Sequence, residues 1–202
     1  QLMKEPRVNR AKVFILGHSL GGYAIPLIAS RAKSAAGFVM MAPSAVHPAR
    51  KIVDQLTYLA SISPKRDPAF EATLAAERRR MAIVTGPGLT LSTPSSDLPL
   101  GSGSASYWLY INNYKHLDMV RRITRPLLLM QGERDYQVTI EKDLTLWKKA
   151  VTGMPNVTIK ICKRCNHLFI PGSGTPSDEE YLTTGHVEKT VIDDLASFIT
   201  SK

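Results

Sequence analysis

Apolar residues in this chain come in short runs set between helix-length stretches. Val13–Leu16, with Lys12 ahead and Gly17 behind, is too short for a helix and predicts a buried strand, Lys12–Leu16. A small-residue helix follows over Leu20–Lys33. Pro26 falls inside it and predicts either a kink or a helix whose regular part starts near that residue, because proline has no amide donor. Gly37–Met41 reads as a second strand, closed by Pro43. Pro126–Gln131, in PLLLMQG, reads as a third, and NVTIKICK as a fourth. TIEKDLTLWKKAVTG reads as a helix closing at Gly153. SDEEYLTT and HVEKTVIDDLASFIT supply two more helical stretches near the end. Short apolar strands alternating with helices predict an α/β fold with a mostly parallel sheet covered on both faces.

Between Ala42 and Ile123 the alternation stops. PARKIVDQLTYLASI, AFEATLAAERRRMAIV and SASYWLYINNYKHL read as helices, with the Pro/Gly/Ser-rich GPGLTLSTPSSDLPLGSGS among them. The expectation is one domain over 1–202, with a core of 1–46 and 122–202 and a helical cap insertion over about 47–121. Tyr107, Trp108, Tyr110 and Tyr114 give the insertion an aromatic lining that suits an acyl or aromatic group. Packing of the insertion is an equally good use for each aromatic taken singly. Tyr107, Trp108 and Tyr136 are the expected substrate contacts.

Composition changes this picture little. The chain has 202 residues, 44% hydrophobic and 21% charged, ordinary for a globular domain. No apolar run approaches the roughly 20 residues of a membrane helix. The opening QLMKEPRVNR is polar and basic, without the apolar centre of a secretory signal, and it begins with Gln rather than Met. Such a start reads as cut, processed or internal to a longer chain. The net charge is +9, but its main basic cluster, ERRR at 77–80, sits in a helical stretch and is expected to be a solvated face. No aromatics interleave with the basic residues as in a nucleic-acid platform, so no nucleic-acid partner is expected. Cys162 and Cys165 have no second pair to complete a zinc site; two free thiols are expected, with a disulfide as the alternative.

The chemistry centres on GHSLG at 17–21, between an apolar strand and a small-residue helix. This is the G-x-S-x-G pattern of a nucleophile elbow, which lifts a serine above a sheet on a strained turn. Gly17, Gly21 and Gly22 are expected to let strand and helix approach without a Cβ between them. The Leu20 amide, at the head of the helix, is the expected oxyanion donor. Ser19 needs a base and the base an orienting acid. Of five histidines, His167 follows a strand on a loop at the carboxyl end of the sheet, where ligands gather in such folds. His18 is expected to make a structural contact pointing away from Ser19. His47 and His116 fall in the presumed cap, and His186 opens the last helix. Asp135, just past the third strand, is the expected acid, with Glu133 as runner-up.

At these residues the chain resembles the α/β-hydrolase family, and within it bacterial hydrolases of the esterase and acyl-peptidase-like branch. GHSLGGYAIP, QGERDYQVT and NHLFIPGSGTPSDEEY correspond to the segments carrying nucleophile, acid and base, and SYWLYINNY resembles the aromatic stretch ahead of the acid-bearing strand. The resemblance implies a serine hydrolase cleaving small acyl esters through Ser19, His167 and Asp135, with an acyl-enzyme and no metal or organic cofactor. Amide or peptide cleavage by the same triad is the alternative. So is a catalytically weak module. The chain departs from the family in one respect: only eighteen residues precede Ser19. The strands that usually come before the nucleophile strand, and the HGGG-type segment that supplies a second oxyanion amide, are absent from these residues. The edge of strand 12–16 is then bare, and homodimer formation through it is an expectation.

Overall fold

The structure, a computed structural model, describes residues 4–63 and 67–201. Four parallel strands form one sheet in the order β1-β2-β3-β4: β1 (Phe14–His18), β2 (Gly37–Met41), β3 (Leu127–Gly132) and β4 (Val157–Cys162). Every residue of β2 and β3 is buried, which is why both read as unbroken apolar runs. The outer strands are less covered. β1 lies two residues further along than Lys12–Leu16, because its ladder opens at Phe14 opposite Gly37 and runs through His18 opposite Met41. It is also no buried strand: it borders the sheet, and Leu16 is 49% exposed. Ahead of β1, Arg10–Lys12 makes a single 3-10 turn capped by the Asn9 side chain.

α1 (Leu20–Arg31) connects β1 to β2. It starts at Leu20 with Pro26 buried in its interior, so its regular part does not wait for the proline. One missing amide donor is outweighed by the packing of α1 on the sheet. On that face Ile25, Phe38, Met40, Leu127, Leu129, Leu144 and Trp147 form a core. Each such buried side chain contributes about 1.5–3 kcal/mol relative to exposure. The opposite face buries Val39, Leu128, Met130 and Phe169 with Val191 and Phe198 of α7 (Lys189–Thr200), which starts later than the expected 186. SDEEYLTT yields only a 3-10 turn, Asp178–Leu182.

The expected helix from 139 to 153 is two pieces, a π-helical turn at Ile140–Leu144 and a short α-helix at Thr145–Ala150. The wide turn brings buried Asp143 to three donors: the amides of Thr139 and Ala45, and the Ser44 hydroxyl. Trp147 Nε1 donates to the Pro43 carbonyl nearby, and His116 Nε2 to that of Ala45. The segment following β2 is thus pinned in place.

The chain divides into two compact units. One runs up to Ala45 and resumes at Lys115; the other is Val46–Tyr114. The second holds α2 (Pro48–Ile62), α3 (Pro68–Thr85) and α4 (Ala105–Asn113), around Ala49, Val84, Leu89, Leu98 and Trp108. The stretch 104–117 is two helices, since Tyr114 is extended; α5 (His116–Val120), with His116, belongs to the first unit. ERRR is only partly a solvated face. Glu77 is 3% exposed and accepts from the Arg80 guanidinium and the Leu100 amide, whereas Arg78 and Arg79 are exposed. Among the described residues no helix is long and apolar enough to cross a membrane.

Candidate active site

Ser19 stands between β1 and α1 with φ 55° and ψ −116°, a conformation that L-residues avoid at a cost of about 1–3 kcal/mol. Its amide donates to the Met41 carbonyl, and its carbonyl accepts from the Tyr23 amide, so the turn is held from both sides. Its hydroxyl does not cap α1. Ala42, directly after β2, and Phe169, in the loop after β4, also have positive φ, as does Leu100 in the second unit. Leu20 is the first residue of α1, where helix amides lack an intrahelical acceptor.

The glycines divide the work differently from the expectation. A Cβ on Gly17 would strike the Gly21 carbonyl, and one on Gly22 would come 3.0 Å from the Pro43 side chain. A Cβ on Gly21 meets nothing within 4 Å. Gly17 and Gly22 therefore permit the close approach. Gly21 contributes its backbone to it but does not need to lack a side chain.

The loops after β3 and β4 bring Asp135 and His167 together. His167 Nδ1 lies 2.7 Å from Asp135 Oδ2, both side chains buried. Asp135 Oδ1 accepts from the amides of Gln137 and Val138, at 2.9 Å each. Gln131 Nε2 reaches Asp135 Oδ2 at 3.0 Å. Glu133, the runner-up, is exposed, and its amide donates to the Cys162 carbonyl. The neighbouring Arg134 amide donates to the Cys165 carbonyl, which stitches the loop after β3 to the loop after β4. Gly132 makes this possible, since a Cβ there would lie 2.6 Å from the Asn166 carbonyl oxygen.

The loop after β4 has its own scaffold. Asn166 Oδ1 accepts from the amides of Leu168 and Ile170, while its Nδ2 donates to Glu180. Glu180 is ion-paired with Arg134. A cavity of about 510 Å³ flanks this loop, lined by Asn166, Ile170, Ser173, Glu180 and exposed His186 among others. The two cysteines are not free thiols: Cys162 and Cys165 form a disulfide. The turn that ends β4, with the Cys165 amide donating to the Cys162 carbonyl, sets their Cα atoms 5.4 Å apart, within bridging range.

His18 does make a structural contact, and it is with the loop after β4. Its Nε2 donates to the His167 carbonyl at 2.8 Å, and the two rings lie 4.7 Å apart. Burial pushes the His18 pKa below the ordinary histidine value; the bond to the His167 carbonyl and the charge of Asp135 oppose the shift, and His167 adds to it. Burial also pushes the Tyr181 phenol up, with Asp135 and Glu180 adding to the shift and the Gln137 side chain opposing it. Since His18 precedes Ser19 in the chain, this contact joins the turn at Ser19 to the loop after β4 at the end of the sheet where its parallel strands finish.

The other expected residues are scattered. His116 packs between Tyr23 and Trp147, and His47 caps α2 with Nδ1 and meets Asn112 with Nε2. Trp108 is buried in the second unit's own core, whereas Tyr107 is partly exposed with its phenol pushed up by burial. Tyr136 lies in the first unit, 6.4 Å from the Tyr181 ring. The sequence reading missed Gln131, Asn166 and Glu180. A polar residue ending the otherwise apolar strand PLLLMQG was the one signal available for Gln131.

No family model matches the chain. It is 36% identical over 199 residues to esterase EstD of Thermotoga maritima, covering 98% of this chain and 45% of that protein. The chain thus spans a little under half the length of that relative. Among solved structures, Est1E from Butyrivibrio proteoclasticus superimposes with a TM-score of 0.53 at 16% identity, covering 95% of this chain and 62% of the other. Acetyl xylan esterase 1 from a Thermoanaerobacterium species gives 0.50 at 14% identity, covering 98% and 48%. The chain has the α/β-hydrolase fold from the strand ahead of Ser19 onward, and it resembles the carboxyl-terminal part of esterases built on that fold.

Proposed function

We propose that this chain carries the nucleophile, base and acid of a serine esterase acting on small acyl esters. The observation that carries the reading is the buried 2.7 Å pair of His167 Nδ1 and Asp135 Oδ2 at the same end of the parallel sheet as a serine at φ 55°. With Nδ1 donating to Asp135, Nε2 is the nitrogen left to exchange protons. Ser19 Oγ attacks the acyl carbon as His167 Nε2 takes its proton. The carbonyl oxygen gains charge beside the Leu20 amide and the positive end of α1. His167 then returns the proton to the leaving alcohol. Water, deprotonated by the same nitrogen, releases the acid from the Ser19 ester. Asp135 keeps the imidazole in this tautomer and balances its charge.

The name of the curated relative supports an ester rather than an amide as the scissile bond. Tyr136, in the loop after β3 and next to Asp135 in the chain, is a proposed substrate contact, tested by the KM of Tyr136→Ala. Pairing of two copies through β1 rests on its bare edge alone, and neither the fold nor the relatives support it. Steady-state hydrolysis of p-nitrophenyl butyrate, compared with a matched anilide, tests the reading. Ester turnover that Ser19→Ala and His167→Ala each abolish, with little anilide cleavage, is expected. Unchanged turnover in Ser19→Ala refutes the assignment.

A further inference from the structure

We infer that Gln131 is a positioning residue of the site, holding the Asp135 carboxylate through the oxygen that also receives His167. The inference rests on the reading of Asp135 and His167 as acid and base. Gln131 is 1% exposed and stands near the end of β3, where every neighbour is buried. Its Nε2 lies 2.7 Å from the Val138 carbonyl, 3.0 Å from Asp135 Oδ2 and 3.3 Å from the Gly132 carbonyl. All three surrounding atoms are acceptors, so the amide can sit only one way round; a flip would turn its oxygen against a carboxylate and two carbonyls. Its Oε1 has no hydrogen-bond partner among the described residues. A buried amide that leaves its oxygen unpaired while its nitrogen serves a charged acceptor is poor packing chemistry on its own. As a brace it is coherent. The Nε2 bonds tie Asp135 Oδ2 to the strand end and, through Val138, to the far side of the acid loop.

The consequence is directional. Oδ1 is fixed by the amides of Gln137 and Val138, and Oδ2 by Gln131 and His167. Removing the Gln131 donor leaves Oδ2 with His167 alone and frees the carboxylate plane to turn about the Oδ1 anchor. The base then loses its orientation while Ser19 and its turn are untouched. Other titratable groups facing this cluster are His18 and Tyr181, with the Arg134–Glu180 ion pair beside them.

Two substitutions of similar shape test this. Gln131→Met removes the donor; a hydrogen bond to a charged group is worth a loss of about 10- to 100-fold in kcat, with KM for p-nitrophenyl butyrate little changed. Gln131→Glu places a second carboxyl against Asp135. Two carboxylates in one buried site do not both ionise readily, so the introduced group holds a proton, and can donate it, at the lower end of the range. Its pH–rate profile is therefore expected to gain a descending alkaline limb that the wild type lacks, reversible in a single sample. If neither variant folds, the wild-type side-chain amide decides. Nε2–H resonances that are protected from solvent exchange and move in Asp135→Asn support the brace, and unprotected resonances that stay in place in Asp135→Asn overturn it. Wild-type kcat in Gln131→Met, or a Gln131→Glu profile parallel to wild type, overturns it as well. A fluorophosphonate adduct on wild-type Ser19 alongside those results would leave the triad reading standing. A folded wild type that takes no adduct would instead remove the triad on which the inference rests.

Discussion

His18 Nε2 donates to the backbone carbonyl of His167 at 2.8 Å, so the residue before the proposed nucleophile holds the backbone of the proposed base. Either ring form can donate this bond, which by itself raises the His18 pKa; burial outweighs it and holds the pKa below the ordinary histidine value. In the unfolded chain His18 takes up a proton near pH ~6.5; in the folded protein it does so only at lower pH. The unfolded state therefore binds more protons in that window. The stability from His18 is complete above about pH 6.5 and is lost as pH falls through the lower folded value.

His18→Gln keeps a donor for the His167 carbonyl and removes the titration. Its melting temperature should fall less than that of the wild type between pH 7 and pH 5, and parallel curves would contradict the assignment. His18→Ala removes the donor altogether. Its kcat for p-nitrophenyl butyrate should drop about 3- to 10-fold, as expected for one lost neutral hydrogen bond.

Gly17 and Gly21 should respond in opposite ways. Gly17→Ala drives a methyl group into the Gly21 carbonyl and is expected to destabilise by about 2–3 kcal/mol. Gly21→Ala meets open space near the start of α1 and should be neutral or stabilising by up to about 1 kcal/mol. Thermal denaturation of the pair decides, and equal losses would mean that the elbow is packed differently.

The disulfide closes a short turn whose carbonyls receive the Glu133 and Arg134 amides. Cys162→Ser with Cys165→Ser should cost about 2 kcal/mol by loop-closure entropy. It should also lower kcat, because the acid and base loops meet at that turn. Intact mass after alkylation of the native protein checks the bond itself: no added thiol label is expected, and two labels would refute it.

Glu180 links the base loop to the acid loop by accepting from Asn166 and pairing with Arg134. Glu180→Ala leaves the Arg134 guanidinium without its ion-pair partner and is expected to destabilise by about 1–3 kcal/mol. Chemical denaturation measures it, and a change within experimental error would show the pair to be ornamental.

Where chemistry and local pattern coincide, the sequence was readable. Ser19 announces itself because an elbow needs its strand, its glycines and its helix within one short stretch. The pairing of Asp135 with His167 was legible because each follows a strand on a loop at the same end of the sheet. What stayed hidden depends on how distant segments curl back. The Gln131–Asp135 contact exists only because the loop after Gly132 folds over the end of β3. The thiols of Cys162 and Cys165 meet because a turn ends β4, and spacing alone does not distinguish that from two free thiols. The division of labour between Gly17 and Gly21 follows from which side of the turn faces the neighbouring backbone. Glu77 looked solvated because charged residues surround it in sequence, while its carboxylate in fact receives Arg80 and the Leu100 amide.

The central claim is that Ser19 is a working nucleophile served by His167 and Asp135. Intact mass after a fluorophosphonate, with the p-nitrophenyl acetate burst recorded on the same samples, tests it most directly. The account predicts one adduct on the wild type, mapped to Ser19 and absent in Ser19→Ala, with a burst of matching size. A folded wild type that takes up no adduct and shows no burst would contradict it.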